Sequence, residues 1–380
     1  MTDWPRLDST DDVMRRAITI ARNGIGAVEP NPAVGAVIVD INLSLLAEGW
    51  HERFGGPHAE VNAIRNLEAR FPDPSERDEV VRGATLFVTL EPCCHQGQTP
   101  PCTQAIIDAG LKRVVYAHGD PSPHVDGGGR LTLHNAGIEV ESGLLEDDAA
   151  ALLAPFLKRV RTGLPWVHAK WAMTLDGRIA ARTGASQWIS NETSRGIVHA
   201  LRGRMDAIVV GANTARIDDP LLTARPAGPR TPVRVVVDSR GTLSLASQLV
   251  RTAGDAPVLL AVGATHDPNN VERLSECGVE VLNLDDGDGR VDVQGLLLEL
   301  GRRQMTNVLF EGGGGLHGAV FDQELADEVH VFIAPKIVGG NDAVCAVGGT
   351  GLARIPEAVM SGTIEVVDCD GDMYVHGFVR

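Results

Sequence analysis

Thr85-Leu-Phe-Val-Thr-Leu90-Glu-Pro-Cys93-Cys94-His95-Gln-Gly-Gln98-Thr-Pro-Pro101-Cys102 passes from an apolar, β-branched run into a proline- and glycine-rich loop that closes on a further cysteine. The run predicts a strand over 85–90, and the segment behind the loop, ended by Gly110, predicts a short helix over about 103–109. Upstream, Ser9-Thr-Asp-Asp stands before Val13, Met14, Ala17, Ile18 and Ala21 at helical spacing, the pattern of a capped amphipathic helix. Residues 34–39 read as a strand, the segment from His58 through Leu67 as a helix and 113–117 as a strand. Strand alternating with helix is the pattern of a layered α/β unit.

A charged helical stretch over 146–161 ends at Thr-Gly-Leu-Pro, and the alternation starts again at 166–173. Strands are predicted at 207–210, 234–237, 258–261, 307–310, 329–333 and 364–367, with helices between several of them, so a second α/β domain follows. A chain of 380 residues suits two domains. The expected division is 1–147, a helical linker over 148–164, and 165–380.

Composition narrows the function. With 50 acidic against 34 basic residues the formal net charge is -16, which disfavours a polyanion as partner, and aromatics at 4% argue against stacking platforms for single strands. No run approaches the roughly 20 apolar residues of a membrane span, and the first residues lack the basic flank and apolar core of a signal peptide. A cytoplasmic protein with neither nucleic acid nor membrane as partner is expected. In a reducing compartment the close trio Cys93, Cys94 and Cys102 points to metal rather than to disulfides.

His58 at the start of a helix, Cys93 in the loop after a strand and Cys102 at the start of the next helix form a zinc-compatible set. Two thiolates and one imidazole leave one tetrahedral position for water, whose pKa falls toward about 7 on zinc. Glu60, two residues after His58, is placed to move a proton between that water and a departing amine if the first helical turn lets it converge. His-x-Glu followed by a Pro-Cys pattern is the arrangement of zinc deaminases, here with a wider cysteine spacing. A fourth ligand from Cys94 or His95 would instead close the site and leave Glu60 as a surface residue. In the second half no Gly-x-Gly-x-x-Gly follows an early strand; Glu311-Gly-Gly-Gly-Gly315-Leu-His-Gly-Ala319 is a strand-to-helix glycine loop able to take a phosphate.

With Pro30-Asn31-Pro32-Ala33-Val34-Gly35 upstream and Pro57-His58-Ala59-Glu60 between, the cysteine segment resembles the deaminase half of the bifunctional deaminase/reductase family of riboflavin biosynthesis. The resemblance implies a cytidine-deaminase-like three-layer domain with zinc on His58, Cys93 and Cys102, Glu60 as catalytic residue, and Asn31 and His51 near the substrate, a diaminohydroxy-phosphoribosylamino-pyrimidine. Two departures stand out: Cys94 occupies a position that is usually serine, and Gln98 one that is usually basic and expected to hold the substrate phosphate. A neutral donor gives roughly half the strength of a charged one, so a weakened or non-catalytic zinc domain beside an active reductase is the alternative.

Further patterns, among them Lys170-Trp-Ala-Met-Thr-Leu-Asp176, Ser186-Gln-Trp188, Arg202-Gly-Arg204, Asp218-Asp-Pro-Leu221-Leu-Thr-Ala-Arg225 and Val237-Asp-Ser239, resemble the reductase half of the same family. They imply a dihydrofolate-reductase-like α/β domain that uses NADPH to reduce the ribosyl group to ribityl. Carried over by position, Ala172, Trp188, Thr214, Asp218, Ser239 and the loop Gly313, Gly314, Gly315, Leu316, His317, Gly318 and Ala319 hold the cofactor. Lys170, Ser186, Arg202, Leu221, Arg225 and Glu311 hold the substrate, with Arg202 and Arg225 suited to grip its phosphate. Lys170, Asp218 and Glu311 are the candidates for the acid. A homo-oligomer is expected.

Overall fold

The computed structural model describes residues 5–96, 100–122, 127–355 and 360–379. The chain divides into two compact units, 1–162 and 163–380. The first contains α1 (Thr10–Ala21), β1 (Gly35–Val39), β2 (Leu45–Trp50), α2 (Ala59–Arg70), α3 (Pro74–Val81), β3 (Thr85–Leu90), α4 (Cys102–Asp108), β4 (Arg113–His118), α5 (Gly128–Asn135), β5 (Glu139–Ser142) and α6 (Glu146–Thr162). Its sheet runs in the order β2-β1-β3-β4-β5, antiparallel on one side of β3 and parallel on the other.

Alternation along the strands builds the layers. Ala36, Ile38, Leu86, Val88, Val114 and Tyr116 pack on one face with Ala63, Leu67 and Ile106 of α2 and α4. Val37, Val39, Phe87, Val115 and Ala117 pack on the other with Val13, Met14 and Ala17 of α1. The result is helix, sheet, helix. Ser9 caps α1 by accepting the Asp12 N–H at 3.2 Å. The helix expected to link the domains is not a linker: α6 buries Leu153, Phe156 and Leu157 in the first core. Burial of such side chains is worth about 1.5–3 kcal/mol each, which fixes α6 to the first unit.

The second unit contains β6 (Trp166–Thr174), α7 (Glu192–Arg202), β7 (Ala207–Gly211), α8 (Ala212–Asp218), β8 (Val233–Val237), α9 (Gln248–Arg251), β9 (Val258–Val262), α10 (Pro268–Glu276), β10 (Glu280–Asn283), α11 (Val293–Arg302), β11 (Asn307–Phe310), α12 (Gly314–Asp322), β12 (Glu328–Ala334), β13 (Met360–Cys369) and β14 (Asp372–Val379). Its sheet has the order β10-β9-β8-β7-β11-β6-β12-β14-β13, parallel from β10 to β12 and antiparallel beyond. Near-continuous apolar runs such as Ala207–Gly211 and Val258–Val262 are what a parallel sheet covered on both faces requires. β11 ends at Phe310 opposite Ala169, so β6 continues past it and carries Lys170 and Ala172 beyond the end of its neighbour. A crevice outside the carboxyl ends of parallel strands is where such sheets bind ligands.

Candidate active sites

Helix α2 sets the first site. A Cβ on Gly49 of β2 would stand 2.4 Å from the Ala63 nitrogen, so only glycine lets α2 lie this close to the strand. His58 is the extended residue that caps α2, and Cys102 is the first residue of α4. His58 Nδ1 lies 3.2 Å from Cys102 Sγ and 3.6 Å from Cys93 Sγ, and the Cys102 N–H points to Cys93 Sγ at 3.4 Å. These three side chains converge as one cluster of potential ligand atoms. Cys94 and His95 are not in it; a Cβ on Gly128 would meet Cys94 Sγ at 2.8 Å, which puts that thiol against α5. Gln98 lies outside the described residues.

Electrostatics agree with a cation site. The Cys102 thiol as donor, with help from His58 and against the cost of burial, lowers Cys93 to about 4, and Cys102, sharing that hydrogen, is raised. His58 is raised, first by its contact with Cys93. Glu60 is 3% exposed and its carboxyl is pushed up by burial, with His58 opposing. One imidazole nitrogen and two sulfurs with a thiolate already favoured are the donors that suit zinc. Beside them, His51 Nδ1 donates to the Pro57 carbonyl at 2.9 Å, which leaves Nε2 to accept from Asn31 Nδ2 at 3.1 Å. Burial keeps His51 below its ordinary pKa. Its ring stands 5.2 Å from that of His58, so Asn31 and His51 come together with the metal-type cluster.

The second site is a cleft of about 930 Å³ at the carboxyl ends of β6, β7, β8 and β11. That is the upper part of the range of about 300–1,000 Å³ for small-molecule sites. Ala172, Trp188, Thr214, Asp218, Ser239 and Gly313 to Leu316 line it, as do Lys170, Ser186, Arg202, Leu221, Arg225 and Glu311. His317, Gly318 and Ala319 do not. α12 starts at Gly314, and one turn on it faces inward: His317 is fully buried between the carbonyls of Phe310 and Ala346, and Gly318 abuts the backbone of Gly348 and Gly349. Ala319 packs against the core. Gly314 meets the Cys345 carbonyl, at 2.5 Å from a built Cβ, whereas nothing lies within 4 Å of one on Gly315. The glycine loop thus has one position required by packing and one open beside the backbone, which fits close approach by a phosphate-bearing cofactor.

Arg202 holds Glu311 through two parallel bonds, Nε to Oε1 at 2.6 Å and Nη2 to Oε2 at 2.8 Å, and Lys170 Nζ lies 3.9 Å from the same carboxylate. Arg202 therefore does not offer its fork to a phosphate as the sequence suggested; Glu311 occupies it. Burial would raise Glu311, but Arg202 and Lys170 hold it down to about 2. Burial also lowers Lys170, against the pull of Glu311, and raises Asp218, against a bond from Ser186 Oγ at 3.3 Å. Sequence reading missed Arg195 and His199. Both line the cleft, and with Arg202 they fall at spacings of four and three along α7, a helical periodicity that marks one face. The Arg195 guanidinium lies 4.6 Å from the Trp188 ring centroid. Glu91, also missed, is buried and accepts the Gly127 and Arg130 N–H groups at the start of α5.

A metal-type His-Cys-Cys cluster with a buried glutamate in an α/β/α unit, followed by a nucleotide-sized cleft in a second α/β unit, defines a bifunctional enzyme, a zinc-binding deaminase joined to a reductase. Family matching agrees: residues 7–118 match the cytidine and deoxycytidylate deaminase zinc-binding region, and residues 165–367 match the RibD C-terminal domain. The chain belongs to the riboflavin biosynthesis protein RibD family. It is 42% identical over 348 residues to that protein from Actinobacillus pleuropneumoniae, covering 92% of this chain and 89% of the relative. RibD of Acinetobacter baumannii, form 1, superimposes with a TM-score of 0.82 at 33% identity over 97% of this chain and 98% of the other. A diaminohydroxyphosphoribosylaminopyrimidine deaminase/5-amino-6-(5-phosphoribosylamino)uracil reductase from Thermotoga maritima does so with 0.79 at 36% identity, again over 97% and 98%. Among the described residues no helix is long and apolar enough to cross a membrane.

Proposed function

We propose that this chain removes an exocyclic amine from 2,5-diamino-6-(5-phosphoribosylamino)pyrimidin-4(3H)-one in its first unit and reduces the ribosyl group of the product to ribityl, with NADPH, in its second. The assignment of domains follows the cores: residues up to 162 carry the deaminase and those from 163 the reductase. The observation that carries it is the convergence of His58 Nδ1, 3.2 and 3.6 Å from the two sulfurs, with Glu60 buried in contact with Cys102.

In the deaminase, His58, Cys93 and Cys102 hold zinc, which supplies the Lewis acidity that makes water a nucleophile at neutral pH. Glu60 takes the proton from the attacking water and returns it to the amine, which leaves as ammonia; a carboxyl raised by burial is matched to that double duty. Neutral His51 fixes Asn31, whose remaining amide edge is placed to hold the pyrimidine.

In the reductase, the N–H groups around Gly313, Gly314 and Gly315 at the start of α12 hold a cofactor phosphate, with Ala172, Thr214, Leu316 and Ser239 lining its path and Trp188 flanking it. NADPH supplies the hydride. Arg225, which lines the cleft with Leu221 and Ser186, takes the substrate phosphate. Of the three acid candidates, Glu311 stays ionised near neutrality, while Lys170 is a cation whose acidity burial increases; Lys170 delivers the proton that opens the ribosyl ring. Asp218 orients Ser186. A cytoplasmic location and a homo-oligomer belong to the same proposal, resting on family membership.

The test is Glu60→Gln. The variant keeps its zinc and reduces pre-deaminated substrate normally, but ammonia release falls by about 10²–10⁴; release at the parental rate refutes the mechanism.

A further inference from the structure

On the face of the second sheet where parallel pairing gives way to antiparallel, four ionisable side chains meet that the reaction does not use. Glu328 and His330 stand two residues apart on β12 and so share a face. His168 on β6 is the register partner of Glu328, and His376 on β14 is the register partner of His330. His168 Nδ1 lies 3.1 Å from His330 Nε2 and 3.3 Å from Glu328 Oε2, and His330 Nε2 lies 3.3 Å from Glu328 Oε1. His376 Nε2 bonds to that same Oε1.

We propose that these residues form a second metal site, for a divalent transition ion of the zinc class, with His168, His330 and Glu328 as ligands and His376 as the partner that orients the carboxylate. Three lines of geometry support it. Donors at about 2.0–2.1 Å around a tetrahedral zinc are about 3.3 Å from one another, and His330 Nε2 stands 3.1 Å from His168 Nδ1 and 3.3 Å from Glu328 Oε1. The outward nitrogens are engaged: His168 Nε2 lies 3.2 Å from Asn307 Oδ1, and His330 Nδ1 lies 2.7 Å from Tyr374 Oη. Because Asn307 Oδ1 only accepts, Nε2 carries the hydrogen of His168, and in the neutral ring the Nδ1 lone pair points at the cluster. Such outer partners are the usual orienters of metal-bound imidazoles. The carboxylate is held as well, since Trp166 Nε1 donates to Glu328 Oε2 at 2.8 Å and leaves Oε1 between His330 and His376.

The setting indicates structure rather than catalysis. The side chains of His168, Glu328 and His330 are 8%, 12% and 3% exposed, so burial leaves substrate no approach to the ion. The ion ties β6 to β12 at the edge of the parallel sheet, and His376 adds β14 through its bond to Glu328. Imidazole and carboxylate donors without thiolate distinguish this site from the sulfur-rich one in the first unit.

The test uses the full chain equilibrated with zinc. Elemental analysis should find two zinc per chain, and anomalous diffraction at the zinc edge should place a peak among His168, Glu328 and His330. Cys93→Ser/Cys102→Ser and His168→Asn/His330→Asn should each retain one zinc. Asn307→Ala keeps every donor in place and should weaken this zinc alone by about 10–100-fold in a competition titration. Cobalt substitution separates the sites, because only the first has sulfur-to-metal charge-transfer absorption. One zinc per saturated wild-type chain, or an anomalous map with density only at Cys93 and Cys102, overturns the proposal and leaves a hydrogen-bonded histidine cluster. The map decides even if the double histidine variant fails to fold.

Discussion

Replacing Glu311 by Gln isolates the charge that organises the floor of the reductase cleft. Its side chain is 8% exposed, receives two bonds from Arg202 at 2.6 and 2.8 Å and faces Lys170 at 3.9 Å. The neutral amide leaves two cations without a counter-charge in a buried site. A carboxyl lowered from its ordinary 4.5 to about 2 corresponds to about 3 kcal/mol of folding stability at neutral pH. The independent range for breaking a buried pair by removing one partner is about 3–5 kcal/mol. In a unit of this size 1 kcal/mol is about 2–4 °C, so the reductase unfolding midpoint should fall by about 6–12 °C at pH 7 in differential scanning calorimetry. The sign with pH follows from the direction of the shift. A carboxyl with a depressed folded pKa stabilises above its unfolded pKa, and that contribution disappears as pH falls from 4.5 through 2. The gap between parent and Glu311→Gln should therefore be widest at neutral pH and narrow at low pH. A midpoint within about 1 °C of the parent at pH 7, less than about 0.5 kcal/mol, or a gap independent of pH, refutes the reasoning.

Other substitutions discriminate between packing and binding. Gly315→Ala, with open space around the new methyl, should leave the midpoint unchanged or slightly higher yet raise the KM for NADPH, whereas Gly314→Ala, which meets the Cys345 carbonyl, should cost about 1–3 kcal/mol in denaturant titration. Arg234 is fully buried and bonds Thr252 Oγ1 at 2.7 Å and the carbonyls of Thr252, Leu221 and Ala256, so Arg234→Met should destabilise by about 3 kcal/mol and loosen the Leu221 wall of the cleft, read as a higher substrate KM. If Lys170 is the proton donor, NADPH oxidation falls as pH rises and the ammonium is lost, with a midpoint below the ordinary 10.5; Lys170→Arg should abolish that alkaline limb along with most of the rate.

The regular elements of the first unit were legible because one signal dominated each. Apolar runs over 85–90 and 113–117 could only be strands, and the cap at Ser9 and the period of α1 agreed with each other. β2 was not: Leu45–Trp50 interrupts its apolar pattern with Glu48 and Gly49, and the glycine is there for α2 rather than for the strand. α3 was not, because Pro74–Val81 is polar around its whole circumference and buries only Val81. Residues 148–164 read as a linker because Pro155 and the flanking charges mask Leu153, Phe156 and Leu157, which face one core. In the sites, residue types in motif order singled out His58, Cys93 and Cys102, whose side chains converge, and residues that line the cleft, but not which way a helix turns. His317, Gly318 and Ala319 follow the glycine loop in sequence and leave the cleft within one turn of α12. Nor could sequence foresee that Arg202 is spent on Glu311, a contact 109 residues apart.

Two consecutive reactions on one chain are tested most directly by giving the purified protein 2,5-diamino-6-(5-phosphoribosylamino)pyrimidin-4(3H)-one with and without NADPH and identifying the products by mass spectrometry. Without NADPH a single product should accumulate in which one amine has been exchanged for oxygen, with one ammonia released for each. With NADPH that product should go on to gain two hydrogens as one NADPH is oxidised. Unchanged starting material in both reactions, or reduction of the substrate before its amine is lost, contradicts the account.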